Sequence, residues 1–379
     1  MIPARRIGPM NDDVLRVTYR LRAGGADAAQ RAQVLALEQS IEMPLAAVMD
    51  SRILSEVVAQ VERLDPQPDG STLAHLALSL ESIGEDAGQL LNMLYGNSSL
   101  LGDVEVVDLR VPDGLASILG GPLLGIAGVR DLTNVHGRAL TCTALKPIGS
   151  TIEDLGRMTG VFAEAGIDII KEDHGWAARA RASFEQRVIA CQREVDRANR
   201  GRDLRTLYAP TLSGDAESMR DQLYFAQGHG VSMVLLMPML AGVSNFNALR
   251  REFPSMAFLA HPALAGNQIA PPALLGTLFR LFGADAVIFP NHGGRFSYSP
   301  ARCRAIAARL REPLAALNPA LPVPAGGMSV ERAPEIVAEY GLDTVLLIGG
   351  NLLLARDQLP ARSRAFVEAV GAASSEVAA

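Results

Sequence analysis

Lysine is nearly missing from this chain. It stands only at Lys146 and Lys171, and arginine makes up the remainder of the 35 basic residues. Genome base composition can exchange surface lysine for arginine at little cost, but arginine cannot replace an amine that must be neutral, compact or N-carboxylated. The two survivors therefore mark candidate chemistry. Cysteine is scarce as well. Cys142, Cys191 and Cys303 are widely spaced and odd in number, which argues against a disulfide framework or a paired metal knuckle and suits reduced thiols in a cytoplasmic protein. Positive charge is not in excess: a formal net charge of −6 leaves no basic footprint for a nucleic acid. No apolar run approaches membrane-spanning length and no signal-peptide pattern begins at Met1, so no membrane partner is expected. Aromatics are few, with a single tryptophan, Trp176. An Ala/Ser tail from Ala372 is the one low-complexity block and is expected to fray.

What is present is regular. Eight apolar runs, 138–147, 167–174, 204–213, 231–238, 256–263, 284–291, 321–328 and 343–351, alternate with helical patterns. Near-continuous apolar strands, each followed by a helix, indicate a parallel sheet covered on both faces. Eight such units over about 215 residues predict a (β/α)8 TIM barrel. A doubly wound open sheet is the alternative, but no GxGxxG follows a first strand. Ser150 and Glu153 have capping-box spacing before one helix, and Gly341 closes another. The first part reads as α+β. "DVLRVTYRLRA" and "STLAHLALSLES" alternate like half-exposed strands, while "AAQRAQVLALEQS", "RILSEVVAQVERL" and "DAGQLLNMLYGN" read as helices and "DVEVVDLRVP" as a strand. The expected organisation is a ferredoxin-like α+β domain over 1–125 and a barrel over 126–379.

A barrel of this kind carries its chemistry at the C-terminal ends of its strands. Strand one ends in Lys146 and strand two in Lys171-Glu172-Asp173-His174. Strand five ends in His261, and strand six in Asn291-His292-Gly293-Gly294-Arg295. If strand two stays regular, Lys171 and Asp173 share one face and Glu172 and His174 the other. A lysine beside an inward carboxylate is either a plain ion pair or, carrying a carbamate, an oxygen ligand for a metal. Gly326-Gly327 and Gly349-Gly350 follow strands seven and eight, where backbone N–H groups of such barrels close around phosphate. Glycine pairs also simply turn the chain.

In this order the residues resemble the large chain of RuBisCO, and more closely the RuBisCO-like proteins of form IV, over nearly the whole chain. "TALKPIGST" is similar to the family's strand-one lysine motif, "GIDIIKEDH" to its carbamate-lysine metal motif and "LAHP" to its strand-five histidine. "FPNHGGRFSYS" takes the place of the mobile loop after strand six, and "AGGM" and "IGGN" those of two phosphate-binding turns. "LEQSIEMP" and "LNMLYGNSS" resemble the segments that carry a glutamate and an asparagine into a partner subunit's site, here Glu38 and Asn97. The resemblance implies a homodimer or an assembly of dimers. It also implies Mg²⁺ held by carbamylated Lys171 and Asp173, with His174 in the third ligand position. Lys146, Lys171, His261 and Arg295 become the catalytic candidates. Asn291, His292, Gly293, Gly294, Gly326, Gly327, Gly349 and Gly350 become the substrate and phosphate candidates.

The departures exclude CO2 fixation. His174 replaces a glutamate ligand, Ile148 the second lysine of "KPK", Pro262 an arginine, and Met43-Pro44 a Thr-Trp pair; the loop-six lysine is absent. The resemblance then implies metal-assisted enolisation of a phosphorylated keto sugar. The expected substrate is a branched 3-oxo acid such as 3-oxo-isoapionate 4-phosphate, decarboxylated or transcarboxylated and hydrolysed, with Arg295 holding the carboxylate. The alternatives are an enolase or isomerase of a methylthio-sugar phosphate in sulfur salvage, and a non-catalytic binding protein.

Overall fold

The computed structural model describes residues 14–22, 27–177, 182–266, 268–296 and 298–378. The chain divides into two compact units, one running to Gly120 and including Asn267–Ala273 and Pro313–Leu317, the other holding the rest. In the first unit β1 (Val14–Leu21), β2 (Gln60–Pro66), β3 (Thr72–Ser79) and β4 (Val104–Arg110) form one antiparallel sheet. The strand order is β2-β3-β1-β4, with α1 (Asp27–Glu38) after β1 and α2 (Ala87–Tyr95) after β3. This is the ferredoxin-like βαββαβ order. Alternation explains the sheet: every second residue of β1 and β3 is buried, and α1 turns Ala28, Ala32, Leu35 and Ala36 inward. The segment 52–64, expected as one helix, divides instead. Its helical turns end at Val57, and Gln60–Pro66 pairs with β3. β-branched Val58 and Val61 favour extended backbone, and the free edge beside β3 receives Val61 and its neighbours.

The second unit holds β5 (Leu140–Leu145), β6 (Ile169–Glu172), β7 (Leu207–Ala209), β8 (Met233–Leu236), β9 (Ala257–Ala260), β10 (Ala286–Pro290), β11 (Leu321–Ala325) and β12 (Val345–Ile348). Parallel pairing links them in the order β7-β6-β5-β12-β11-β10-β9-β8. A parallel bridge between Thr211 and Leu235 closes the ring, with Leu235 N donating to Pro210 O at 2.8 Å. All eight expected strands are present but shorter, because their polar ends leave the ladder to build the loops of the barrel mouth. One alternate set of side chains fills the interior: Leu140, Cys142, Ile169, Leu207, Ala209, Met233, Leu235, Ala257, Leu259, Ala286, Ile288, Leu321, Val323, Val345 and Leu347. Counting on by two from this set reaches Lys146, Lys171 and His261. The opposite parity reaches Glu172 and Asn291.

Two local expectations change. The helix Ile152–Glu164 is capped by Thr151, whose hydroxyl accepts from Asp154 N at 3.1 Å, one residue later than the Ser150–Glu153 spacing suggested. The tail does not fray: Leu359–Ala378 is one helix with Val370, Ala373 and Ser374 buried. The Ser374 hydroxyl also accepts from Ala139 N at 3.1 Å. Among the described residues no helix is long and apolar enough to cross a membrane.

Buried Asp285 ties the barrel to the segment entering it. Its carboxylate accepts from Leu124 N (3.0 Å), Gly125 N (2.7 Å) and Phe258 N (2.8 Å). Burial outweighs these three donors and pushes the carboxyl up to about 6 from its ordinary 3.8. The folded chain thus holds this proton more tightly than the unfolded chain. The stability it contributes is full below pH 3.8 and is lost as pH rises through 6, by at most about 3 kcal/mol. Asp285→Asn is expected to flatten the fall in melting temperature between pH 4 and 7. An unaltered slope would contradict this.

Candidate active site

Four polar side chains meet at the mouth of the barrel, where β5, β6 and β9 end. Lys146 forms an ion pair with Asp173 Oδ2. The other oxygen, Oδ1, accepts from His174 N at 3.0 Å and lies 3.0 Å from His174 Nδ1. The His174 ring stacks on His261, with centroids 4.1 Å apart and planes 16° from parallel. Burial opposes the charged form of Asp173, but the hydrogen bonds from His174 and Lys146 and the charge of Lys171 outweigh it. Its carboxyl is held well below the usual range. His174 was expected across the strand from Asp173. The strand ends at Glu172, and the turn that follows swings His174 back onto the same side.

His261 is a neutral hydrogen-bonding group. Burial, assisted by the charges of Lys171 and His174, pushes its imidazole down to about 2. Ala263 N donates to its Nδ1 at 3.1 Å, so the ring proton sits on Nε2. Lys171 is buried, with Nζ donating to Glu172 O at 2.8 Å. Burial lowers its ammonium below the ordinary lysine value, toward the neutral amine that a carbamate requires.

Glu172 faces the other way. It is fully buried and pairs with Arg187 from the helix Phe184–Asn199, Nε to Oε1 at 2.6 Å and Nη2 to Oε2 at 3.2 Å. The Tyr208 hydroxyl (2.6 Å) and Thr211 N (2.9 Å) also donate to it. Trp176 lies under the Arg187 guanidinium, 5.1 Å from ring centroid to Cζ. Glu172 thus anchors β6 to its neighbours while Lys171 and Asp173 face the mouth. Arg187 carries no sequence signal, since an arginine near a helix start is ordinary.

The loop after β10 departs from expectation. Asn291 is fully buried, its Oδ1 accepting from the Tyr340 hydroxyl at 2.6 Å and its Nδ2 directed at Met328 Sδ, 3.4 Å away. It is turned toward the helix layer, away from the mouth, as its parity requires. The His292 ring is likewise engaged, with Nε2 2.7 Å from Glu339 Oε2. Gly293-Gly294 packs backbone to backbone on Gly326-Gly327: a Cβ on Gly327 would lie 2.5 Å from the Gly293 carbonyl, and Gly327 has φ of +66°. These glycines are needed for the loops to touch. Gly349-Gly350 stands in open space, where a Cβ would meet nothing within 4 Å. Arg295 is exposed and lies over the Phe296 ring at 4.6 Å. Ser297 of the same loop lies outside the described residues.

Glu38 and Asn97, in the first unit, are joined by a 2.9 Å hydrogen bond from Asn97 Nδ2 to Glu38 Oε1. Buried Gln39 holds the two ends together, donating to Met93 O (2.7 Å) and accepting from the Ser98 hydroxyl (2.8 Å).

The donor set fits a divalent cation on one condition. Asp173 is the carboxylate that faces the mouth beside Lys171, and a hard cation takes several oxygen ligands. A carbamate on Lys171 would add the missing anionic oxygens, and the buried, lowered amine meets the requirement for forming one. Among the described residues the one set of three histidine or acidic groups with ligand atoms within 4.8 Å of one another lies elsewhere, at His292, Glu335 and Glu339.

The chain is similar to known proteins over most of its length. Residues 125–287 match the family model of the ribulose bisphosphate carboxylase large chain, catalytic domain. The chain is 48% identical over 365 residues to the 5-methylthioribulose-1-phosphate isomerase of Rhodospirillum rubrum, covering 96% of this chain and 98% of that one. It is 45% identical over 355 residues to ribulose bisphosphate carboxylase-like protein 1 of Rhodopseudomonas palustris, covering 93% and 96%. The crystal structure of a Rubisco-like protein from Rhodopseudomonas palustris superposes with a TM-score of 0.88 at 41% identity, covering 95% of this chain and 98% of that one.

Proposed function

The chain belongs to the RuBisCO large-chain superfamily, on its RuBisCO-like branch, and from that premise we propose that it is a proton-transfer isomerase of a methylthio-ketose phosphate. The observation that carries the reading is the cluster Lys146–Asp173–His174–His261 beside buried Lys171. The name and full-length similarity of the isomerase of Rhodospirillum rubrum support that substrate. The decarboxylase expectation needs a fixed cation for a substrate carboxylate. Arg295, its candidate, is exposed and laid over Phe296. Ile148, where the RuBisCO pattern has a lysine, lies instead over Gly175: a Cβ there would sit 2.5 Å from its Cδ1. An apolar side chain beside the cluster suits a thioether better than an acid.

The reaction removes a proton next to the ketose carbonyl, forms an enediolate and returns the proton to the former carbonyl carbon. Lys146 is the acid/base group, partly exposed at the mouth and oriented by Asp173. His261, neutral and protonated on Nε2, donates a hydrogen bond to an enediolate oxygen without adding a second proton to the exchange. His174 keeps its stacked ring against it. A divalent cation held by carbamylated Lys171, Asp173 and His174 would polarise the carbonyl. Gly349 and Gly350 offer the open backbone for the phosphate. In the homodimer that the family resemblance implies, the hydrogen-bonded pair Glu38–Asn97 would complete the partner's site.

The test is incubation with 5-methylthioribulose 1-phosphate in D2O, followed by NMR. The expected result is deuterium wash-in beside the carbonyl and appearance of an isomeric ketose. Absence of both, together with CO2 release from a branched 3-oxo acid phosphate, would return the reading to a decarboxylase.

A further inference from the structure

We infer that Arg332 is a positioning residue: it pins the loop after β10 onto the glycine turn after β11 and so fixes that wall of the barrel mouth. Its guanidinium reaches both loops at once. Nη1 donates to His292 O at 3.1 Å and to Gly327 O at 2.7 Å, and Nη2 lies 3.3 Å from His292 Nδ1. Arginine only donates, so His292 Nδ1 accepts and its Nε2–H donates to Glu339 Oε2. The other side of the fork is held by Glu335, Nε to Oε2 at 3.0 Å and Nη2 to Oε1 at 2.8 Å. Arg304 donates to the remaining oxygen of Glu339 at 3.1 Å. Each link of the chain from Glu335 through Arg332 and His292 to Glu339 and Arg304 is charge-assisted, and a planar fork fixes direction as well as distance.

This arrangement also explains the grouping of His292, Glu335 and Glu339. Their ligand atoms approach within 4.8 Å, but two arginines already neutralise both carboxylates and occupy the donor directions. The cluster is an ionic clasp. The clasp adds restraint where the two loops cross glycine on glycine, with no side chain at the crossing itself. A Cβ on Gly294 would lie 2.8 Å from Gly326 C, and one on Gly293 would lie 3.1 Å from Arg332 Nη1 itself. Backbone packed that closely has little apolar area to hold it, so hydrogen bonds from outside must supply the restraint. Lys146, Asp173 and His261 have their described side-chain contacts with one another, His174 and Ala263, so the clasp acts on binding geometry and leaves the proton transfer alone. The kinetic part of this inference rests on the isomerase reading; the structural part does not.

Arg295 provides the readout, since it is an exposed trypsin site within the pinned loop. In Arg332→Gln, cleavage after Arg295 in the full-length protein, followed by mass spectrometry, is expected to accelerate about tenfold, the equivalent of one charge-assisted hydrogen bond. Cleavage elsewhere and the melting temperature should stay as in the wild type. With the methylthio-ketose phosphate, KM should rise about tenfold with kcat nearly unchanged, the pattern of lost uniform binding. Arg332→Lys should recover part of both effects. If Arg332→Gln folds poorly, Glu335→Gln on the exposed helix face should give a smaller acceleration, about threefold. Unchanged cleavage after Arg295, or a parallel acceleration at every arginine, would overturn the inference. A wild type without turnover would sink the isomerase reading while leaving the proteolysis decisive.

Discussion

Lys146→Met is expected to slow deuterium wash-in by about 10³-fold with KM little changed, the signature of a group that acts in the transition state alone. The side chain is one of two lysines that the composition did not convert to arginine, and it meets Asp173 at the mouth of the barrel. Methionine keeps the length and apolar stem but cannot carry a proton. Asp173 keeps its two contacts from His174, so the fold should survive and the loss can be read as chemistry. Lys146→Arg should fail almost as badly. A guanidinium restores the charge beside Asp173 but does not release a proton near neutral pH, and this separates acid/base work from simple charge. Retention of exchange within tenfold of the wild type in either variant would remove Lys146 from the mechanism.

Much of this site could be read because barrel chemistry follows strand parity. An interior apolar set at period two, extended beyond the last ladder residue, points to Lys146, Lys171 and His261, and the structure puts these three at one mouth. The same rule places Asn291 on the opposite face, and a strict parity count would have withdrawn it from the substrate candidates. His174 was misplaced for the converse reason: parity holds only while the strand lasts, and β6 stops at Glu172. The two glycine pairs show another limit. Gly349-Gly350 and Gly326-Gly327 look alike in sequence, but one turns into open space and the other packs against a loop. Which loop arrives there depends on residues some 30 positions apart. Arg332, Glu339 and Arg187 were invisible for that reason, since arginine and glutamate on a helix have a solvated face as their ordinary explanation. In the first unit the edge strand Gln60–Pro66 was missed because a short valine-rich run fits either period until a sheet edge selects one.

Glu172→Ala is expected to cost about 3–5 kcal/mol, the range for breaking one side of a buried ion pair. Glu172 and Arg187 are both fully buried, and the carboxylate also takes the Tyr208 hydroxyl and Thr211 N. Its removal leaves the guanidinium with uncharged partners, the carbonyls of Ala182 at 2.6 Å and Ala177 at 3.2 Å and the rings of Trp176 and Phe184. The loss should appear as a melting temperature lower by roughly 10 °C. Glu172→Gln should lose less, because an amide oxygen still accepts from Tyr208 or Arg187 while the charge is gone. The double variant Glu172→Met, Arg187→Met should be more stable than Glu172→Ala, since the stranded charge leaves with its partner. Activity should follow stability in the single variants, because β6 carries Lys171 on one face and Glu172 on the other. A Glu172→Ala protein that melts with the wild type and also loses turnover would place Glu172 in the chemistry, and the division of β6 into an anchoring face and a reacting face would fail.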